Sequence, residues 1–199
     1  MNQRVPPSPG YATRYATRAK ITTAATDLEA SMADADELET FVADAEAYFQ
    51  LIDSFRDARP EALYTSLLER LSRLANSAVR IPFDMPETDD AASTHVLTSD
   101  ERASVSRLIH ETVADDIVTL QERHPDDDPS EQSRRVMYFD DLADLYSDLK
   151  DGLRCYATGT ATGMSEGIWR WKWGYENHWG RHLMRALMTT HEICFQLVA

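Results

Sequence analysis

The stretch Tyr138-Phe-Asp-Asp-Leu-Ala-Asp-Leu-Tyr-Ser-Asp-Leu-Lys-Asp-Gly-Leu-Arg-Cys-Tyr156 carries apolar side chains at Phe139, Leu142, Leu145, Tyr146, Leu149 and Leu153. These recur at intervals of three and four residues, the spacing that returns a side chain to one face of an α-helix. The period predicts a helix over 138–156, and the same period extends outward in both directions. Upstream, Leu38, Phe41, Val42, Ala45, Phe49, Ile52 and Phe55 mark one helical face, with Asp36 and Glu39 resembling a capping pair at its start. Pro60 suits a first helical position, and Leu67, Leu68, Leu71, Leu74, Ala75 and Ala78 continue a second helix that Pro82 stops. Residues 82–97 read as a loop. Thr98 and Glu101 form a capping-box pattern ahead of Val105, Leu108, Ile109, Val113, Ile117 and Leu120, a third helix that ends before Pro125. An acidic loop, Asp126-Asp127-Asp128-Pro129, follows.

Downstream of Tyr156, the Gly/Thr-rich turn from Thr158 to Gly163 precedes a long final segment, Met164 to Val198. Gly174 and Gly180 are the places where that segment would kink or divide. No stretch alternates as a half-buried strand does. The expected architecture is all-α, an antiparallel helical bundle of about five to six helices.

The chain has 199 residues, 43% of them hydrophobic, enough for one domain with a substantial core. Its formal charge of −14 argues against a generic nucleic-acid binder, whose surface must attract phosphate. Residues 1–26 run against that balance: they hold Arg4, Arg14, Arg18 and Lys20 and no acid. They are expected to form a basic flexible tail ahead of a single helical domain over 27–199, mobile or lying on its own acidic body. Nucleic acid enters only through that tail. No apolar run is long enough to span a membrane and no secretory signal is present, so the expected location is cytoplasmic. Cys155 and Cys194 match no metal spacing and are expected to be small buried thiols.

The 138–156 helix also holds Asp140, Asp141, Asp144, Asp148 and Asp151. Asp-Asp-x-x-Asp can hold Mg²⁺ when its carboxylates converge. On a helical wheel Asp140, Asp144 and Asp151 fall nearly opposite the Leu142/Leu149/Leu153 face and are expected to be solvated. Asp141 and Asp148 lie at the border of the apolar face, where a second helix can meet them.

All four tryptophans, Trp169, Trp171, Trp173 and Trp179, lie within eleven residues. In a continuous helix Met164, Ile168, Trp171, Tyr175, Trp179, Leu183, Ala186 and Ile193 make one apolar stripe. His178 and His182 lie within or beside it, and Arg170, Arg181 and Arg185 fall mainly on the other side. A histidine pair four residues apart can supply two ligands to a divalent metal. The metalloprotease pattern would need Glu at position 179, where Trp179 stands, so a third ligand would come from Asp141, Asp148 or His110. The simpler expectation is that both histidines are core-edge side chains hydrogen-bonded to those carboxylates. Asp141, Asp148, Glu176, His178 and His182 form the candidate polar site. Trp171, Tyr175 and Trp179 are candidate pocket aromatics, with core packing the simpler role. No cofactor follows from these residues; a divalent metal is the alternative the histidine pair leaves open. Neither a phosphate loop nor a nucleophile elbow appears, so no catalytic residue is assigned.

Taken together, the Asp140–Leu153 segment and Trp169-x-Trp171-x-x-x-Tyr175-Glu-x-His-Trp-Gly-x-His182 resemble a bacterial family catalogued as domain of unknown function 5063. The strong likeness covers about 140–187 and a weaker one reaches back to Phe41. It implies an all-helical domain with Asp141, Asp144, Asp148, Trp171, Glu176, His178, Trp179 and His182 at signature positions, and it implies no activity. The leading functional expectation is a non-enzymatic binding or scaffold domain, its partner unassigned and open between a protein and a small molecule. The alternatives are a metal-dependent hydrolase using His178, His182 and the helix aspartates, and a small-molecule binder with a Trp/Tyr-lined pocket.

Overall fold

A computed structural model of the chain describes residues 24–57, 60–82 and 96–198. Among the described residues there are seven α-helices and no strand: α1 (Ala24–Asp53), α2 (Pro60–Ala78), α3 (Ser99–Arg123), α4 (Pro129–Val136), α5 (Tyr138–Tyr156), α6 (Ala161–Asn177) and α7 (Trp179–Ile193). The chain divides into two compact units, Met1–Ala35 and Asp36–Ala199. The core and the candidate site both lie in the second. No described helix is long and apolar enough to cross a membrane. The basic tail, apart from residues 24–26, and most of the 82–97 loop lie outside the described residues.

The all-α expectation holds, with local corrections. Asp36 does not cap a helix: α1 begins at Ala24, and the Asp36 carbonyl accepts a hydrogen bond from Thr40 Oγ1 (2.8 Å) inside it. Residues 24–35 contain neither glycine nor proline, so nothing in the chain stops the helix there. The Thr98/Glu101 capping box is present. Thr98 Oγ1 accepts from the Glu101 N–H, and the Glu101 carboxylate accepts from the Thr98 N–H (2.7 Å). Beyond the acidic loop the chain forms a short extra helix. Asp128 caps α4 by accepting from the Ser130 N–H (2.8 Å), and Pro129 takes its first position.

Glu101 also receives Arg154 from α5. That hydrogen bond, then the Thr98 N–H, pushes the carboxyl down from its ordinary 4.5 to about 2. A depressed carboxyl stabilises the fold above its unfolded value and loses that contribution as pH falls from about 4.5 through about 2. Glu101→Gln is therefore expected to flatten the acid side of a plot of melting temperature against pH in that window. An unchanged slope would contradict the assignment.

The core gathers Phe41, Tyr48 and Ile52 from α1, Leu67, Leu71 and Leu74 from α2, Ile109, Val113 and Leu120 from α3, and Leu142, Leu145 and Leu149 from α5. Trp171 of α6 and Trp179, Leu183 and Ala186 of α7 complete it. α5 is the central element, packed against α3, α6 and α7. Tyr48 Oη of α1 also donates to the Leu142 carbonyl (2.9 Å). Enclosure of α5 corrects the wheel for Asp151, which is buried rather than solvated. It accepts the Leu97 N–H (2.6 Å) and pairs with Arg102. Cys155 and Cys194 are free and buried.

α5 and α6 cross closely at glycines. A Cβ at Gly152 would lie 2.2 Å from Trp171 Nε1, and one at Gly167 would lie 2.8 Å from the Gly152 carbonyl. The long final segment is divided, not continuous. His178 (φ −140°, ψ −87°) ends α6 and precedes α7. A Cβ at Gly180 would lie 2.1 Å from the Tyr175 carbonyl oxygen, so the break requires glycine there.

Candidate functional site

The site forms where α5 meets α7 and the break before it. Asp141 and Asp148 are two helical turns apart on α5 and so share a face. Opposite them, His182 and Arg185 project from the first turns of α7, and His178 is the hinge residue itself. Arg185 lies three residues after His182 on α7 and so shares its face toward α5, which corrects its expected place on the outer side.

Asp141 is fully buried and is the centre of the cluster. Arg185 Nε donates to both its oxygens (3.1 and 3.0 Å), and Arg185 Nη2 donates to Oδ1 as well. His182 Nδ1 lies 2.8 Å from the same Oδ1. Arg185 Nη2 is also 3.0 Å from His182 Nδ1. Nδ1 cannot both accept from the guanidinium and donate to the carboxylate. Charge decides for the second: the carboxylate takes the Nδ1–H, and the two cationic-side donors merely converge on one oxygen. In neutral His182 this leaves a lone pair on Nε2, which faces His178 Nδ1 at 3.3 Å. His178 Nδ1–H then donates to it. The rings meet edge to face, with centroids 4.9 Å apart.

The last link is different. His178 Nε2 lies 3.7 Å from Asp148 Oδ2, an oxygen that is buried without a hydrogen-bond partner. With His178 donating through Nδ1, both facing atoms are acceptors, so the contact is favourable only when one proton sits on either group. Burial pushes the Asp148 carboxyl up, with His178 opposing the rise and Asp144 adding to it. The result is a polar relay, Arg185/Asp141–His182–His178–Asp148, closed at its inner end by a saturated carboxylate. Its outer end reaches solvent at His178, whose side chain is 54% exposed against 13% for His182.

A raised carboxyl favours the folded state at low pH and costs stability as pH rises from the unfolded value to the folded one. Asp148→Asn is therefore expected to stabilise the protein at neutral pH, since the amide can donate to His178 Nε2 without a proton. The gain should vanish below about pH 4, where the unfolded carboxyl is itself protonated. Paired melting curves across pH 3 to 8 read this directly; a variant less stable at pH 7 would contradict it.

Asp144 is largely exposed, with Oδ2 3.9 Å from His182 Nδ1. His110 packs its ring edge-on against Phe139, centroids 4.8 Å apart. Among the described residues no group of three His, Cys, Asp or Glu side chains is arranged to hold a metal ion. Both His182 nitrogens have protein partners. Trp171 and Trp179 are buried, Trp171 Nε1 donating to the Leu149 carbonyl (3.0 Å) and Trp179 Nε1 to the Trp171 carbonyl (3.1 Å). Tyr175 instead lines an open groove of about 560 Å³ with Glu176, Gly180, Arg181, Met184 and Arg185. Glu176 lies 3.5 Å from Lys172 Nζ. Arg185 thus touches the relay on one side and the groove on the other.

A second polar cluster has no counterpart among the expected residues. Arg134 and Arg135 of α4 are buried and share Glu192 of α7. Arg134 also binds Glu131 and Thr189, and Arg135 binds Asp127 (2.6 Å). The adjacent arginines before Tyr138 and the Glu131/Arg134 spacing of three are its local traces in the sequence, while the shared Glu192 lies 58 and 57 residues from Arg134 and Arg135.

A family model described as a domain of unknown function (DUF5063) matches residues 33–196. Comparison with curated proteins gave no match. The crystal structure of protein BF1032 from Bacteroides fragilis is similar, with a TM-score of 0.67 and 16% sequence identity. The likeness covers 80% of this chain and 93% of that one. It is a likeness of fold.

Proposed function

We propose that this chain, which belongs to the DUF5063 family, is a non-enzymatic binding domain that recognises a protein partner. The observation that carries this reading is how the polar groups of the relay are used. Asp141 is saturated by Arg185 and His182, and both ring nitrogens of His182 meet protein atoms, so these groups fasten α7 to α5. The open groove beside them presents Tyr175, Arg181 and Met184 to solvent-side ligands. A relay spent on packing beside an exposed mixed apolar and cationic surface suits recognition better than bond cleavage.

Isolation of the protein with a stoichiometric macromolecular partner supports the reading. The competing reading, a metal-dependent hydrolase, has a clear signature. It would stand if pure protein supplied with Zn²⁺, Mn²⁺ or Mg²⁺ turned over phosphate esters and His182→Ala abolished that turnover while the melting temperature stayed unchanged.

A further inference from the structure

Seven large apolar side chains are exposed among the described residues, and their distribution is uneven. Met184, Met188 and Phe195 follow one another along the outer face of α7 and the π-helical turn Cys194–Val198 that ends it. Val136 and Met137, two more, occupy the α4–α5 joint. That joint is tied to the same stretch of α7, because Arg134 binds Thr189 and Tyr138 Oη bonds Thr190 Oγ1 (2.7 Å). Single exposed apolar residues are ordinary, whereas a concentration on one helix face marks a contact surface. The groove lined by Tyr175, Arg181, Met184 and Arg185 opens onto the start of this row. Met184 belongs to both.

Charge selects the occupant. The chain carries −14 overall, yet this strip is bordered by cations. Arg181 and Arg185 stand one turn apart at the groove. Arg123 lies at the far end, its guanidinium on the Gln196 carbonyl beside Phe195. His191 packs on the Phe195 ring, centroids 4.7 Å apart. Glu176 closes the groove side, next to Lys172. The local cations select the partner against the net charge: Arg181 and Arg185 beside an apolar row match carboxylates set among apolar side chains, which one face of a protein helix supplies together.

The geometry points to the outer face of α7, from the Tyr175/Arg181/Met184 groove to Phe195, as the docking site for an acidic amphipathic helix of a partner protein. Its apolar side chains would lie on Met184, Met188 and Phe195, and a carboxylate pair one turn apart would meet Arg181 and Arg185. The strip is roughly 16 Å long at the rise of a helix, enough for about three turns of partner. This inference rests on the binding reading above and names its partner.

A displayed library of random 16-residue peptides, selected on the immobilised full chain, is the test. The expected winners are helical peptides with apolar residues at three- and four-residue spacing and paired Asp or Glu. Arg181→Glu and Met188→Asp should each weaken them about tenfold, while Arg107→Glu, the same charge change at an exposed position of α3, should leave them unaffected. Met188→Ser serves if the aspartate variant melts abnormally. Peptides that ignore both substitutions would overturn the docking site and leave the binding reading intact; failure to enrich any peptide would overturn the site. So would a dimer in sedimentation that Met188→Asp disperses, or binding to phosphatidylglycerol vesicles that the same substitution removes, since either gives the face to another occupant.

Discussion

Asp141→Ala is expected to lower the stability of the protein by about 3 kcal/mol, the lower end of the cost of breaking a buried ion pair. The carboxylate is fully buried and takes bonds from Arg185 and His182, both on α7. Its removal leaves the Arg185 guanidinium and the His182 Nδ1–H facing a void. The Arg185 side chain is 37% exposed, so water recovers part of the loss and the larger values for sealed pairs do not apply. The discriminating comparison is with Asp141→Leu combined with Arg185→Met and His182→Leu. If the relay only fastens α7 to α5, an apolar replacement of similar volume should return most of the stability. Chemical denaturation of the single and triple variants measures both. A single-variant cost below about 1 kcal/mol would mean that the relay is not what joins these helices.

Trp171→Ala is expected to cost about 4 kcal/mol and to lower the melting temperature by roughly 10 °C for a chain of this size. Trp171 is fully buried, meets Phe41 edge-on at 5.1 Å and Tyr156 at 5.4 Å, and donates to the Leu149 carbonyl. Its indole fills the space over Gly152. That contact makes a sharper expectation than the loss itself. In the natural chain Gly152→Ala should destabilise, because the new methyl would meet the indole ring. In the Trp171→Ala background the same change should become neutral or stabilising by up to about 1 kcal/mol, the helix preference of alanine over glycine. A double-mutant cycle with no reversal of sign would show that the crossing is governed by something other than this pair.

The fold was legible in the sequence wherever a helix has one wet side. The Thr98/Glu101 box and the 138–156 period needed only local spacing, and the structure places those elements at Ser99–Arg123 and Tyr138–Tyr156. The border position of Asp141 on the wheel was likewise readable, and it is there that α7 arrives. Asp151 was misread because a wheel assumes that the side opposite the leucines is water, and α5 has neighbours on several sides. Arg185 was misplaced for another reason. It follows His182 by three residues on α7, so the face that brings His182 to Asp141 brings Arg185 as well, and that i,i+3 relation was there to be read. The Arg134/Arg135/Glu192 cluster was beyond reach because its partners lie on α4 and α7, joined by no spacing rule.

The glycine crossing of α5 and α6 bears on the order in which the chain folds. Only Ala157–Thr160 separates the two helices, so closing their hairpin orders few loop residues and costs little entropy. Trp171 can settle over Gly152 before any distant segment arrives, and neighbours that meet early in this way form folding nuclei. Conservative substitutions at this crossing, such as Trp171→Phe, should therefore slow refolding and barely change the unfolding rate. Substitutions in the Asp141–Arg185 contact, which must wait for α7, should instead speed unfolding. Stopped-flow rates for the two sets would separate a hairpin that leads from a bundle that assembles all at once.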